Sequence, residues 1–164
     1  MCGCPLFIGV EDTPIKKETS HTLARVIYGD EKMEIFLPII PPTVTHQEKG
    51  LHAYLKNGQP HAVLYDSPEL KEARSKLHAY LAPYRPNKPF EGSVRLLVKW
   101  CFPRGKHGDG EYKTTKPDTD NLEKMLKDVM TDLHWWKDDA QVASEIVEKF
   151  WAEQPGIFIS VELL

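Results

Sequence analysis

Residues 116–142 read KPDTDNLEKMLKDVMTDLHWWKDDAQV, and this stretch has the strongest structural and chemical signal in the chain. Its apolar residues recur at three- and four-residue spacing, which predicts an amphipathic helix over residues 121–133. Pro117 stands just before the predicted start, and Glu123 follows Asp120 at the spacing of a capping box. The apolar face of this helix is predicted to consist of Leu122, Met125, Leu126, Val129, Met130 and Leu133.

Acidic residues stand at both ends of the predicted helix. Asp118 and Asp120 lie two residues apart at its start, and the pair Asp138 and Asp139 follows its end. A helix cap explains either of the first two acids but not both, and it leaves the second pair unexplained. Neighbouring carboxylates repel one another unless a cation neutralises them, and oxygen ligands suit Mg²⁺. This set of acids therefore predicts a site for hard divalent cations that also contact substrate phosphates.

Lys124 lies one turn beyond Asp120, on the acidic side of the predicted helix. Lysines on helix surfaces commonly form solvated ion pairs, and Glu123 with Lys127 has the favoured spacing for one. Asp128 continues the row of Asp120 and Lys124 and is predicted to be solvated. Taken alone, Lys124 is either an ordinary surface lysine or a cation placed beside a metal site.

The two halves of this stretch resemble the signature of the RusA-type family of Holliday junction resolvases, which is common in bacteriophages and prophages. The first half of that signature is Asp-x-Asp-Asn-Leu-x-Lys, which stands here at residues 118–124. The second half is Trp-x-Asp-Asp-x-Gln-Val, which stands here at residues 136–142. The spacing between the halves is also similar, and a weaker resemblance extends over residues 33–164.

The resemblance implies a role for each acid and for the lysine. Asp118, Asp120 and Asp139 match the metal-binding catalytic acids of the family, Asp138 is a further candidate ligand, and Lys124 matches the catalytic lysine. It also implies Mg²⁺ as cofactor, with Mn²⁺ as a possible substitute. The expected activity is hydrolysis of phosphodiester bonds by paired symmetric nicks in four-way DNA junctions. Two symmetric nicks imply two active sites, and therefore a homodimer.

The chain departs from the family pattern after Pro41 and Pro42. The family tends to show Asn and Arg there, whereas this chain has TVTHQEK at residues 43–49. This difference bears on DNA contacts and junction selectivity more than on the chemistry. Two other hypotheses about function therefore stay open. One is a structure-selective nuclease that acts on forks or other branched DNA, and the other is a non-catalytic DNA-binding module that retains the fold.

Charge is distributed unevenly along a chain whose net charge is −3. Residues 95–116 contain six basic and two acidic residues, whereas residues 138–164 contain six acidic residues and one lysine. Because phosphate contacts need a local basic surface, the first of these segments is a candidate DNA-binding surface. The candidate DNA-binding residues are Lys49, Arg104, Lys106, Lys113 and Lys116.

Length and composition predict one globular domain, and the order of the predicted elements indicates the α+β class, with a mixed β-sheet and two main helices. With 164 residues, of which 41% are hydrophobic, the chain is long enough to bury a core. Residues 1–32 are predicted to be a weakly defined N-terminal extension and residues 33–164 the endonuclease domain. No apolar run is long enough for a membrane span, and three sparse cysteines favour a reducing, cytoplasmic location.

Weaker patterns predict the remaining elements. Strands are expected at residues 33–37, 90–102, 142–151 and 157–163. A first helix from Pro68 to Ala82 is expected to be capped by Ser67 and to face inward with Leu70, Ala73, Leu77, Tyr80 and Leu81. The dipeptide Asn57-Gly58 indicates a hairpin turn. The Gly- and Lys-rich residues 103–115 indicate a loop that becomes ordered with substrate.

Overall fold

The computed structural model describes residues 27–28, 31–44 and 49–164. The predicted N-terminal extension, residues 1–32, lies largely outside this part of the chain. The structure contains seven strands and two α-helices. They are β1 (Ile27–Tyr28), β2 (Lys32–Leu37), β3 (Lys49–Lys56), β4 (Gln59–Asp66), α1 (Pro68–Leu81), β5 (Val94–Pro103), α2 (Thr119–Asp132), β6 (Val142–Ala152) and β7 (Gly156–Leu163).

The chain divides into two compact units, and the first contains the larger sheet. This unit comprises the described residues up to Pro41 together with Arg95–Thr114 and Ser144–Leu164. Its five strands follow the order β1-β2-β7-β5-β6, and β2 pairs with both β1 and β7 in antiparallel register. β6 and β7 are consecutive in the chain but are not neighbours, because β5 lies between them.

Alternation along the strands builds the core of this sheet. Val94, Leu96, Val98 and Trp100 are completely buried on β5, as their spacing in the sequence predicts. The facing positions of β2 and β7 are also apolar, so three adjacent strands present one continuous apolar surface. These positions are Met33, Ile35, Leu37, Ile157, Ile159 and Val161.

The loop after β5 is ordered in the structure, which contradicts its predicted dependence on substrate. Its backbone hydrogen bonds to β6: the amides of Gly110 and Lys113 donate to the carbonyls of Trp151 and Lys149, and the Trp151 amide donates to Glu111. The imidazole of His107 also stacks on Trp151, with ring centroids 4.4 Å apart. Backbone pairing of this kind depends little on side-chain identity, which explains why composition predicted the loop poorly.

A carboxylate closes this loop, and its titration makes the loop sensitive to acid. The Gly108 amide donates to Glu111 at 2.9 Å, and this hydrogen bond, followed by one from His107, holds the pKa of Glu111 below its ordinary value of 4.5. The stabilisation is therefore present above pH 4.5 and is lost as the pH falls through the lowered pKa. We expect the protection factor of the Gly108 amide, which is its NMR exchange rate relative to the intrinsic rate at the same pH, to fall on acidification. In Glu111→Gln, exchange at Gly108 should no longer respond to this titration.

The second unit comprises Pro42–Val94 and Thr115–Ala143 and contains both helices. Ser67 caps α1 as predicted, with its Oγ accepting a hydrogen bond from the Leu70 amide at 3.1 Å. Leu70, Leu77 and Leu81 are buried, whereas Tyr80, which was predicted to face inward, is 48% exposed. α1 packs against α2. All six residues of the apolar face predicted for the second helix are buried.

The same unit contains the hairpin of β3 and β4. The two strands pair over eight residues each, from Lys49 opposite Asp66 to Lys56 opposite Gln59. Asn57 and Gly58 both adopt positive φ angles, 54° and 76°, as the predicted two-residue turn requires.

The two helices together with the strands confirm the predicted α+β class with two main helices. In the described part of the chain, no helix has the length and apolar character needed to cross a membrane.

Candidate functional site

Two of the predicted catalytic acids lie at the start of α2. Asp118 is the residue that precedes the first helical turn, and Asp120 lies within that turn. Both are exposed, and the Lys116–Pro117 peptide bond before them is cis. Asp118 has extended backbone angles suited to a helix cap, yet its side chain makes no capping hydrogen bond. The predicted capping box of Asp120 with Glu123 is wrong, because Asp118 occupies the cap position.

Glu123 differs from its prediction in a second way. It was interpreted as one half of a solvated ion pair with Lys127, but its side chain is only 2% exposed. This residue therefore belongs to the buried face of α2 and not to its solvated surface. Burial of a carboxylate is costly unless other interactions compensate for the lost hydration. Helical spacing alone could not reveal this, since Glu123 lies at the border between the apolar and polar faces.

The second half of the motif forms a short 3-10 helix, Asp139–Gln141, which contacts α2. Asp138 caps this helix: its Oδ1 accepts a hydrogen bond from the Ala140 amide at 2.8 Å, and Gln141 completes a capping box. Asp139 is the first residue of the 3-10 helix and is partly exposed. The two adjacent acids therefore differ, since the carboxylate of Asp138 has a structural task that Asp139 does not share.

The carboxylates that match the catalytic acids lack the usual structural partners. In the part of the chain that the structure describes, no hydrogen bond or ion pair engages the side chains of Asp118, Asp120 or Asp139. Acids kept for stability normally cap a helix or pair with a base, as Asp138 does here. The absence of such partners leaves these three side chains available for ligands.

Gln141 holds the second half of the motif in place, a role that the sequence did not indicate. Its Oε1 accepts hydrogen bonds from the amides of Lys137 and Asp138 at 2.9 and 3.3 Å. Its Nε2 donates to the carbonyls of Phe90 and Gly92 at 3.0 and 3.1 Å. One amide side chain thus ties the segment that carries Asp139 to the chain just before β5. Gln141 stands in the quoted motif, which is the only signal in the sequence that marks it.

We expect Gln141→Leu to impair the site through the position of Asp139. The change removes four hydrogen bonds and leaves two backbone carbonyls without this donor, which costs about 1–3 kcal/mol of stability where such groups are buried. DNA cleavage should fall by about tenfold, as expected when a residue that positions a metal ligand is lost. Activity at increasing Mn²⁺ concentration is the measurement, because a positioning defect weakens metal affinity. A loss of stability with unchanged metal dependence would contradict this role.

The tryptophans of the motif belong to the core. Trp135 and Trp136 are 0% and 1% exposed, so both rings are core residues rather than groups that could stack on bases. Nε1 of Trp136 donates to Oγ1 of Thr131 at 2.7 Å, and the Trp135 carbonyl accepts from the Phe90 amide at 2.8 Å. The Trp pair therefore ties the turn after α2 both to the helix, through Thr131, and to the chain before β5, through Phe90.

Lys124 takes part in an ion-pair network on the surface of α2. Its Nζ lies 3.6 Å from Asp128, and the side chain is 53% exposed. Arg74 on α1 approaches the same Asp128 at 3.7 Å and Asp132 at 3.4 Å. Asp128, which was predicted to be solvated, is only 25% exposed, and Arg74 links it and Asp132 to α1. Lys124 remains on the same side of α2 as Asp120, one turn further along.

The donor chemistry of this site fits Mg²⁺. All the available side-chain donors are carboxylate oxygens, and magnesium is usually bound through one or two carboxylates completed by water and substrate phosphates. Among the residues that the structure describes, no three His, Cys, Asp or Glu side chains form a ready-made metal cluster. The acids at the start of α2 therefore suit a site that is completed by the substrate rather than an all-protein cage.

The structure pairs much of the basic segment with acids. Arg95 lies 3.4 Å from Glu162, Lys99 lies 3.6 Å from Glu148, and Arg104 lies 4.0 Å from Glu153. These acids all come from the acidic C-terminal segment, so the two charged segments compensate each other in the first unit. Three of the six basic residues counted along residues 95–116 are therefore partly neutralised by acids.

Lys113 is the clearest departure among the predicted DNA-binding residues. It is 7% exposed, and its Nζ lies 4.4 Å from the ring centroid of Trp151. Burial, followed by the charge of Lys149, lowers the pKa of Lys113. This placement disfavours a direct contact with phosphate. Lys106 and Lys116 are exposed, and the side chain of Lys49 lies outside the described part of the chain.

Comparison with known proteins agrees with the motifs. Residues 40–162 match the family of the endodeoxyribonuclease RusA. Over 119 residues the chain is 29% identical to the uncharacterized protein YqaN of Bacillus subtilis (strain 168), covering 65% of this chain and 82% of that protein. Over 88 residues it is 38% identical to the crossover junction endodeoxyribonuclease rusA of Lactococcus phage r1t, covering 52% of this chain and 67% of the phage protein. Because the family match includes both motifs and most of the chain, this protein belongs to the RusA endodeoxyribonuclease family.

Proposed function

We propose that this protein is a Mg²⁺-dependent endodeoxyribonuclease that resolves four-way DNA junctions by paired symmetric phosphodiester hydrolysis. The family supplies the class of enzyme, and the similar phage protein is named for action at crossover junctions. The observation that carries the proposal is the set of acids at the motif. Asp118, Asp120 and Asp139 have no structural partner among the described residues, so their carboxylate oxygens are available to bind a metal ion.

Each side chain of the proposed site has a separate task. Asp118 and Asp120 would present carboxylate oxygens from the first turn of α2, and Asp139 would add a further oxygen from the 3-10 helix. When bound, one or two Mg²⁺ ions, with Mn²⁺ as a substitute, supply Lewis-acid activation of the attacking water and of the leaving oxygen. Asp138 is a weaker candidate ligand, because its Oδ1 already accepts the Ala140 amide.

Lys124 would act on the charge that develops at the scissile phosphate. Its ammonium group is half exposed and is held near Asp128 by a long ion pair of 3.6 Å. Such exposed pairs are weak, so the side chain can turn toward a phosphate at little cost. Stabilisation of charge in the transition state is among the largest single contributions that one side chain makes to catalysis.

A homodimer is the assembly that this activity requires. Cuts on two opposing strands of a four-way junction need two active sites, and a two-fold dimer places identical sites in symmetric positions. Sedimentation at micromolar concentration should report the mass of a dimer. A monomer under these conditions, with or without a junction, would remove the dimer from the proposal.

Cleavage of a fixed four-way junction is the decisive experiment. The full-length protein would be incubated with a labelled junction, a fork and a linear duplex side by side, in Mg²⁺, Mn²⁺ or EDTA, and the cuts on every strand would be mapped. We expect paired cuts at symmetric positions of the junction and none in EDTA. Faster cutting of the fork than of the junction would show that other branched DNA, and not the four-way junction, is the preferred substrate. Binding without any cutting would make the protein a non-catalytic DNA-binding module.

A further inference from the structure

The hairpin of β3 and β4 is unusual because both of its faces are open to solvent. Every residue from Leu51 to Val63 is exposed, including Leu55 at 75% and Tyr54 at 42%. An isolated two-stranded hairpin is only marginally stable in water. Long strands with large apolar and aromatic side chains on the outside therefore point to a surface that is covered when the protein works.

The pairing register separates the hairpin into two chemically different faces. Residues directly opposite each other share a face, and successive residues alternate between faces. One face is aliphatic, with Leu51, Ala53, Leu55, Pro60 and Ala62. The other, which we call the aromatic face, consists of Gly50, His52, Tyr54, Lys56, Gln59, His61, Val63 and Tyr65.

The rings of the aromatic face are ordered into a ladder. Tyr54 stacks on His52 with centroids 5.9 Å apart and on His61 with centroids 5.6 Å apart. Tyr65 covers Gly50, where a Cβ atom would collide with the tyrosine ring. The glycine thus lets Tyr65 lie along the strand, so that flat rings follow one another along this face.

Charge selects the kind of partner that this face fits. Within the described hairpin the aromatic face has a lysine and two imidazoles but no carboxylate, since Asp66 lies on the opposite face. Lysine and histidine donors suit phosphate oxygens, and exposed rings suit stacking on bases. A two-stranded ribbon also has the width that the major groove of DNA accepts.

We propose that the aromatic face of this hairpin binds branched DNA, with Tyr54 and its neighbouring imidazoles stacking on bases exposed where strands exchange and Lys56 contacting phosphate. This inference rests on the proposed function and assigns a DNA-contacting surface to it. A branch point exposes the flat faces of base pairs that a continuous duplex hides, so stacking rings favour branched over linear DNA. The hairpin thereby contributes to substrate selection rather than to the chemistry.

The test compares changes on the two faces of the same hairpin. Binding of a four-way junction and of a linear duplex would be measured in EDTA for the wild type, Tyr54→Ala, Tyr54→Phe and Leu55→Ala. We expect Tyr54→Ala to weaken junction binding by about tenfold and duplex binding much less, as loss of one stacking ring does. Tyr54→Phe keeps the ring and Leu55→Ala changes only the aliphatic face, so both should bind the junction like the wild type. A 2-aminopurine base at the branch point should be quenched by the wild type and not by Tyr54→Ala.

Several results would overturn this inference. Wild-type binding by Tyr54→Ala would do so, as would equal losses in Tyr54→Ala and Leu55→Ala, which would indicate damage to the hairpin itself. Dissociation of a dimer by Tyr54→Ala, measured by sedimentation, would make the aromatic face a contact between two copies of the chain. The proposed function fails separately, if the wild type neither binds nor cuts any branched DNA. Junction cleavage that is indifferent to Tyr54 refutes only the inference about the hairpin.

Discussion

Asp118→Asn and Asp139→Asn should each lower the rate of junction cleavage by about three orders of magnitude, equivalent to about 4 kcal/mol of transition-state stabilisation. An amide keeps the size of the carboxylate but loses the charge that holds a divalent cation. Neither side chain has a structural partner among the described residues, so the melting temperature should not change. Junction binding in EDTA should be retained or become tighter, because a negative charge near the DNA phosphates is removed.

Two nearby acids provide matched controls for this prediction. Asp138→Asn removes a charge from the residue next to Asp139, and asparagine is as good a helix cap as aspartate, so the capping contact survives. Asp132→Asn removes a charge from the far end of α2, where Asp132 pairs with Arg74. We expect Asp132→Asn to retain full activity and Asp138→Asn to retain most of it. Normal turnover by Asp118→Asn or Asp139→Asn would exclude these acids as metal ligands.

The second large effect is expected for Lys124→Ala. Removal of one group that stabilises charge in the transition state typically lowers turnover by about 10²–10³-fold. The loss should appear in kcat rather than in junction affinity, because the proposed contact strengthens only as charge develops at the phosphate. Single-turnover cleavage of a saturating junction by full-length protein measures this directly. Stability should change by less than about 1 kcal/mol, since the pair with Asp128 is exposed.

Lys127→Ala is the control for Lys124, because it removes the same charge from the same helix three residues further along. A general weakening of DNA attraction would lower junction affinity in both variants and would diminish at high salt. A catalytic contact instead lowers kcat in Lys124→Ala alone. Equal effects of the two changes would identify Lys124 as an ordinary surface lysine, the reading that spacing alone left open.

Local patterns predicted the secondary structure well wherever the apolar period was strong. The apolar residues of β5 and α2 are buried as their two- and near-four-residue periods indicate, and Ser67 and Asn57-Gly58 mark a cap and a turn. Errors arose where a residue lies at the edge of a helical face. Tyr80 is exposed and Glu123 is buried because helical spacing defines a face only approximately, and packing against the neighbouring helix settles the border residues.

The sequence identified the residues of the chemical motif, but it did not reveal the hydrogen bonds that give these residues different roles. Two acids at a helix start and two after a Trp pair are enough to indicate a metal site from the sequence alone. The sequence could not assign different roles to Asp138 and Asp139, because only Asp138 accepts a hydrogen bond from the Ala140 amide. It also could not assign the task of Gln141, whose bonds reach residues some fifty positions earlier in the chain, Phe90 and Gly92.

The sequence by itself determined which segments form the main helices and strands, which residues form the centre of their apolar faces, and which acids and lysine belong to the family motif. These properties depend on neighbours within a few positions, so periodicity and caps suffice to specify them. Only the tertiary structure decided that β5 separates β6 from β7, that Glu148, Glu153 and Glu162 neutralise the basic segment, and that the hairpin has an aromatic face. Strand order, ion pairs and register join residues far apart in the chain, and they are set by which surfaces can be buried together.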